Sequence, residues 1–172
     1  SQTLERMIVN GEVAIAVMHD PAPHPEITIV RLLDEHLWIV GKAGTLGRDH
    51  VTLREASRLP LVMPSRPNFI RGIIDRALDH NTQLNIVQRV DGLGQLRALL
   101  RHGHGYTVLT YGAVVGDIQL GRLEAAIITE PKITWTLVVA MRNDPSRRAT
   151  LSAVTDLIVA ITGDFVAKGL WR

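Results

Sequence analysis

Residues 59–78 read LPLVMPSRPNFIRGIIDRAL. Three apolar residues, Leu61 to Met63, are followed by a polar turn bracketed by Pro64 and Pro67. Ile70, Ile73, Ile74, Ala77 and Leu78 then recur at the i, i+3, i+4, i+7, i+8 spacing of one helical face. The stretch is a strand, a turn and a helix, and the same alternation extends in both directions. Downstream, residues 84–90 read as a strand. Residues 92–102 read as a helix with Leu93, Leu96, Leu99 and Leu100 inward, and residues 106–109 as a strand. Upstream, residues 52–58 read as a short helix, preceded by β-rich stretches at 27–33 and 37–40. The N-terminal segment places Leu4, Met7 and Ile8 on one helical face and stops at Gly11. It leads into the apolar run VAIAVM at 13–18, short enough for a strand buried on both faces. Residues 123–128 and 134–141 read as the last strands. In the final helix Asp144 is the expected cap and Pro145 sits in the first turn. Leu151, Val154, Ile158 and Ile161 form its expected buried stripe, and Gly163 its stop. Strands alternating with helices imply βαβ units around a mostly parallel sheet.

With 172 residues the chain is long enough for one domain with a sizeable core, or for two small lobes. Aromatic residues make up only 4%, so the core is expected to be Leu, Ile, Val and Ala. The absence of cysteine excludes disulfides, thiolate metal sites and a Cys nucleophile, and fits a reducing cytoplasm. No apolar run is expected to reach the roughly 18 residues that span a bilayer, and no signal peptide opens the sequence. The formal charge is +2, from 19 basic and 17 acidic residues. The arginines are scattered, whereas a nucleic-acid module would gather them into a face.

Catalytic signatures are weak. A serine nucleophile needs a base and a sharp turn of the G-x-S-x-G kind. Ser1, Ser57, Ser65, Ser146 and Ser152 lack that setting. The pair His102 and His104 flanks Gly103 at a helix end, where the helix dipole favours a His. His19-Asp20 could line a cleft but reads first as a turn. The G-H-G around His102 lacks a third glycine and precedes a strand, so it is not a dinucleotide fingerprint. No metal site and no cofactor is expected. What remains is a set of polar helix starts that follow strands: Ser1-Gln2-Thr3, Ser65-Arg66-Pro67-Asn68 and Asp91-Gly92. Helix N-termini present free N–H groups and partial positive charge, so several converging on one cleft would bind an anion. Taken alone, each reads first as a plain cap.

The order of these segments resembles the effector-binding domain of LysR-type transcriptional regulators. Five stretches carry it: S-x-x-L-x-x-x-x-x-x-G running into VAIAV, then ITIVRLLDEHLWIVG, LPLVMPS before a helix with Arg71 and Asp75, GLGQLRALLRHGHGYTVL, and GRLEAAIITEPKITWTLVVAM. The sequence departs from the family at Ala14, where Asp is usual, and at Thr110, where Pro is usual. It also lacks the family's opening strand-helix-strand unit and its N-terminal winged helix-turn-helix, so the first lobe is expected to be incomplete at its N-terminus.

The resemblance implies an α/β fold of two Rossmann-like lobes joined by two crossover strands, similar to type II periplasmic binding proteins. All 172 residues would form one effector-binding domain. Lobe I would comprise roughly residues 1–41 and 134–172 and lobe II roughly 42–133. A small anionic effector would bind between the lobes, at Ser1, Gln2, Thr3, Ser65, Asn68 and, less directly, Arg66, Tyr106 and Thr107. The expected function is cytoplasmic ligand sensing, transmitted by a hinge change. DNA would be contacted only through the winged helix-turn-helix outside this sequence. The domain would pair with itself, as a homodimer and within a tetramer of the full-length protein, and would not engage a membrane. A transport-type solute-binding protein of the same architecture is the alternative, and an enzyme on this fold a third reading.

Overall fold

A computed structural model describes residues 2–172, with only the backbone described for Gln2. The elements in order are α1 (Gln2–Val9), β1 (Ile15–His19), β2 (Ile27–Lys42), β3 (His50–Val51), α2 (Leu53–Arg58), β4 (Leu61–Met63), α3 (Phe69–Ala77) and β5 (Ile86–Arg89). There follow α4 (Leu93–Arg101), β6 (Thr107–Thr110), a 3-10 turn (Tyr111–Ala113), α5 (Val115–Gln119), β7 (Leu123–Ile128), β8 (Thr134–Arg142) and α6 (Arg148–Ala167). The chain divides into two compact units, Ser1–Glu35 with Trp135–Arg172, and His36–Thr134.

The two β-rich stretches expected at 27–33 and 37–40 are one continuous strand of 16 residues. The polar Asp34, Glu35 and His36 interrupt the apolar pattern without turning the chain, and Glu35 is buried. This strand passes from the first unit to the second between Glu35 and His36, earlier than the Gly41 expected from sequence.

In the second unit β4 and β5 pair in parallel. A parallel bridge between Leu61 and Tyr106 brings the start of β6 against the start of β4. β2 lies between β6 and β7 and is antiparallel to both, with Trp38 opposite Leu109 and Ile127. Alternate side chains enter separate cores. Leu61, Met63, Val108 and Ile39 pack with Ile74 of α3 on one face. Val62, Leu109 and Val40 pack with Leu96 and Leu100 of α4 on the other. A period of two under two helical layers produces this division. The capping box of α2, in which Thr52 and Glu55 satisfy one another's backbone N–H groups, fixes that helix after β3.

In the first unit β1 pairs antiparallel with β8, from Ile15 opposite Met141 to His19 opposite Leu137. Ile8 of α1 packs on Met18, Ile27, Val138 and Ala140. The expected mostly parallel sheet is therefore corrected for β1 and β2. Parallel pairing needs a crossover of about a dozen residues or more, usually a helix. The stretch β4-α3-β5-α4-β6 supplies such crossovers, whereas β1 and β2 pair with β8, β6 and β7, strands distant in sequence that run the opposite way. The run VAIAVM is likewise not buried on both faces, since Val17 is 42% exposed.

The final helix also departs from expectation. It continues past Gly163 to Ala167, and the chain turns at Gly169, whose φ is +67°. A glycine inside a helix costs about 1 kcal/mol relative to alanine but does not stop it. Its N-cap is Arg147, and Asp144 instead accepts from the N–H and hydroxyl of Ser146. The buried face is Leu151, Thr155 and Thr162, whereas Val154 and Ile161 of the expected stripe are exposed. At 20 residues with a mean hydropathy of 1.5, α6 is long and apolar enough to cross a membrane, beyond what the sequence led us to expect.

Candidate functional site

Three parallel strands of the second unit, in the spatial order β5, β4, β6, end side by side, and each leads directly into a helical start. β4 runs through Pro64 to Asn68, the N-cap of α3, whose side chain accepts from the Arg71 N–H at 3.1 Å. β5 leads to Asp91 and to Gly92, the N-cap of α4, which has no side-chain cap. β6 ends at Thr110, the N-cap of the 3-10 turn, again without a side-chain cap. The ends of β4 and β5 are tied together, because the Ser65 N–H donates to Asp91 Oδ1 at 2.8 Å. The Val90 N–H likewise donates to the Met63 carbonyl at 3.1 Å.

The rim therefore concentrates polar groups and unshielded helix N–H donors at the carboxyl ends of parallel strands, where open α/β sheets bind ligands. Its chemistry suits an anion that accepts several hydrogen bonds. Asp91 contributes the opposing charge.

The residues named from sequence distribute unevenly around this rim. Ser65 and Asn68 are brought together there. Arg66 is drawn away along α3, where its guanidinium pairs with Asp75 at 2.6 Å, beside the Arg71–Asp75 pair at 3.0 Å. Tyr106 and Thr107 stand at the amino end of β6, four and three positions from Thr110. Because Tyr106 is bridged to Leu61, it lies roughly 13 Å along the strand direction from Ser65, at about 3.3 Å per residue. Its hydroxyl donates to the Thr45 carbonyl at 3.3 Å. Thr107 is fully buried, with its hydroxyl 3.7 Å from the Met63 sulfur. Thr110 and Asp91 hold the rim positions instead. The family comparison pointed to Thr110 only as a departure, and Asp91 was legible only as a polar helix start.

Ser1 lies outside the described residues, and for Gln2 only its place on α1 is described. Thr3 is exposed on the first turn of α1. That turn sits near the carboxyl end of β1, where the Ala22 N–H donates to Glu5 Oε1 at 3.3 Å.

The first unit also holds a polar cluster that sequence reading missed. Glu35 is 3% exposed. Its Oε2 lies 2.5 Å from His19 Nε2, and its Oε1 accepts from Trp171 Nε1 at 2.6 Å. His19 stacks on Trp135 with ring centroids 3.9 Å apart. The separation of Glu35 and Trp171 in sequence hid this contact. Among the described residues no group of three or more His, Cys, Asp or Glu could hold a metal ion.

A family model described as the LysR substrate binding domain matches residues 1–161. The chain belongs to that family. The HTH-type transcriptional regulator BbuR of Bordetella bronchiseptica is 31% identical over 174 residues, covering 99% of this chain and 54% of that protein. The HTH-type regulator YeiE of Escherichia coli K12 is 23% identical, covering 80% of this chain and 47% of its own length. This member of the LysR substrate-binding family thus spans about half the length of the curated relatives it matches.

Among solved structures, full-length OxyR C199D of Pseudomonas aeruginosa superposes with a TM-score of 0.76 at 16% identity, covering 91% of this chain and 58% of that one. The effector binding domain of a BenM variant gives 0.72 at 19% identity, with 95% and 79% coverage. The fold is thus the α/β, two-lobed, periplasmic-binding-protein-like fold of LysR-type regulatory domains, as the resemblance implied. The relatives are transcriptional regulators, and neither the family nor these relatives support the solute-binding alternative.

Proposed function

We propose that this chain is the ligand-sensing part of a transcriptional regulator, and that a small anionic effector docks on the rim formed by Ser65, Asn68, Gly92 and Thr110. The observation that carries the reading is the side-by-side ending of β5, β4 and β6, each feeding a helical start, two of which have no side-chain cap. Membership of the LysR substrate-binding family, and the HTH-type regulators among its relatives, supply the regulatory context.

In this reading the domain is not an enzyme. It converts binding into a change of conformational equilibrium, by no more than the effector's differential affinity for the two states. DNA contact belongs to protein outside this chain, and the domain works in the cytoplasm as part of a self-associated regulator. Thr3, with Ser1 and Gln2 before it, remains a proposed second contact on the first unit. Arg66, Tyr106 and Thr107 remain proposed as weaker contacts.

Isothermal calorimetry against a panel of small organic acids tests the proposal. A binding acid should lose at least roughly fivefold in affinity with Ser65→Ala and again with Asn68→Ala, as expected for single hydrogen bonds worth about 1 kcal/mol. Unchanged affinity in both variants would remove this rim from consideration.

A further inference from the structure

A second, separate concentration of charge lies in the second unit, at the end of α4. Asp117 of α5 is buried, with 2% of its side chain exposed. Three guanidinium groups surround its carboxylate: Arg97 Nε at 2.7 Å, Arg101 Nη1 at 3.4 Å and Arg122 Nη1 at 4.0 Å. One carboxylate neutralises one of these cations. Arg101 and Arg122 then line an open hollow of about 470 Å³, together with Lys42, Ala43, His102 and Gly121. Glu124, two residues beyond Arg122 on β7, is engaged by the Leu46 N–H.

Arg97 makes the shortest contact to Asp117, which leaves a surplus of three permanent cations, Arg101, Arg122 and Lys42, all of them lining the hollow. Complementing the carbonyl ends of α4 and α5 needs far less, since a helix terminus carries only about half an elementary charge. The arginine side chains are 35–54% exposed, so water screens their mutual repulsion, and an anion seated among them would lower it further. Arg97 and Arg101 each hydrogen-bond Asp117 through one nitrogen, which leaves other N–H donors of each planar fork, and Arg122 stands off at 4.0 Å.

We infer that this hollow is an anion site for a multiply charged phosphate group, such as the diphosphate of a phosphorylated small molecule, and is independent of the proposed effector rim. A surplus of three matches an anion of charge two or more better than a monocarboxylate. The guanidinium fork suits phosphate oxygens bidentately, and the Lys42 ammonium adds a point charge.

The test is a 31P NMR and calorimetric titration of pyrophosphate, alongside orthophosphate and citrate, at a fixed ionic strength of about 0.15 M. Saturable binding of pyrophosphate is expected, tighter than citrate and weakened roughly tenfold or more in the Lys42→Gln/Arg122→Gln double variant. These two exposed side chains can be changed without opening the core, and an unchanged thermal melt would establish that the variant is folded. The control Arg6→Gln, on an exposed arginine of α1, should leave binding intact. Three results would overturn the inference: unsaturable binding, equal binding of citrate and pyrophosphate, or an equal loss in the Arg6 control. So would loss of self-association in the double variant without any pyrophosphate binding by the unaltered chain, because the cations would then be meeting carboxylates of a second copy.

Discussion

The Ser65 backbone N–H donates to the Asp91 carboxylate at 2.8 Å, tying the carboxyl ends of β4 and β5 together. This bond fixes where α3 and α4 begin relative to one another. It also places one negative charge on a rim otherwise rich in donors. Asp91→Asn keeps an acceptor for Ser65 while removing the charge. It is expected to tighten binding of an anionic effector severalfold with little change in stability. Asp91→Ala removes the acceptor as well and should cost about 0.5–1.5 kcal/mol. Calorimetry and urea unfolding of the two variants separate these effects.

Asn68 caps α3 through its side-chain oxygen. Asn68→Ala should lower stability by about 1 kcal/mol, whereas Asn68→Ser should retain most of it. Chemical denaturation reads this directly. If Asn68→Ser restores stability but not effector affinity, the amide contributes to the ligand as well as to the helix.

Thr107 and Tyr106 test the line between resemblance and geometry. Thr107 is enclosed beside Met63, so Thr107→Val should leave effector affinity unchanged and change stability by about 1 kcal/mol, the scale of the single hydroxyl hydrogen bond it removes. Tyr106→Phe should loosen the loop at Thr45 and nothing at the rim. A large affinity loss in either would show that the ligand sits at the amino end of β6.

These residues also show what the sequence could and could not reveal. The stretch 59–78 was legible because its hydrophobic period changes from strand to helix at a proline-bracketed turn, and the polar helix start at Asn68 is local chemistry. The continuous β2 was hidden, because a break in apolar pattern at Asp34-Glu35 looks the same whether the chain turns or a buried carboxylate finds distant partners. The end of α6 was misread because Gly163 has helical neighbours on both sides, while Gly169 takes the positive φ. Within the site, polar helix starts were visible one by one. That β5, β4 and β6 align them depends on strand pairing, which no local pattern specifies.

Glu35 joins His19 to the indole of Trp171 near the C-terminus. Trp171→Phe keeps the ring and removes the donor to a buried carboxylate. A loss of about 1.5–3 kcal/mol is expected, as for a hydrogen bond to a charged group. Thermal unfolding monitored by circular dichroism reads it. A melt unchanged from the unaltered chain would show that this contact does not anchor the tail.

The Thr52 backbone and side-chain hydrogen bonds hold the Glu55 carboxyl below its usual value, with Arg48 adding to the effect. A carboxylate whose value is depressed in the folded state stabilises the fold above the unfolded-state value. That contribution is lost as pH falls through the lowered folded-state value. The acid limb of a stability–pH curve should therefore be shallower in Glu55→Gln, with convergence at low pH, and unfolding at a series of pH values checks it.

The most direct test of the account is a backbone amide NMR titration of this chain with an acid found to bind it. The largest shifts should fall together at Ser65–Arg71, Asp91–Gln95 and Thr110–Ala113, the ends of three neighbouring strands. Saturable binding that leaves these amides unmoved and shifts residues elsewhere would contradict it.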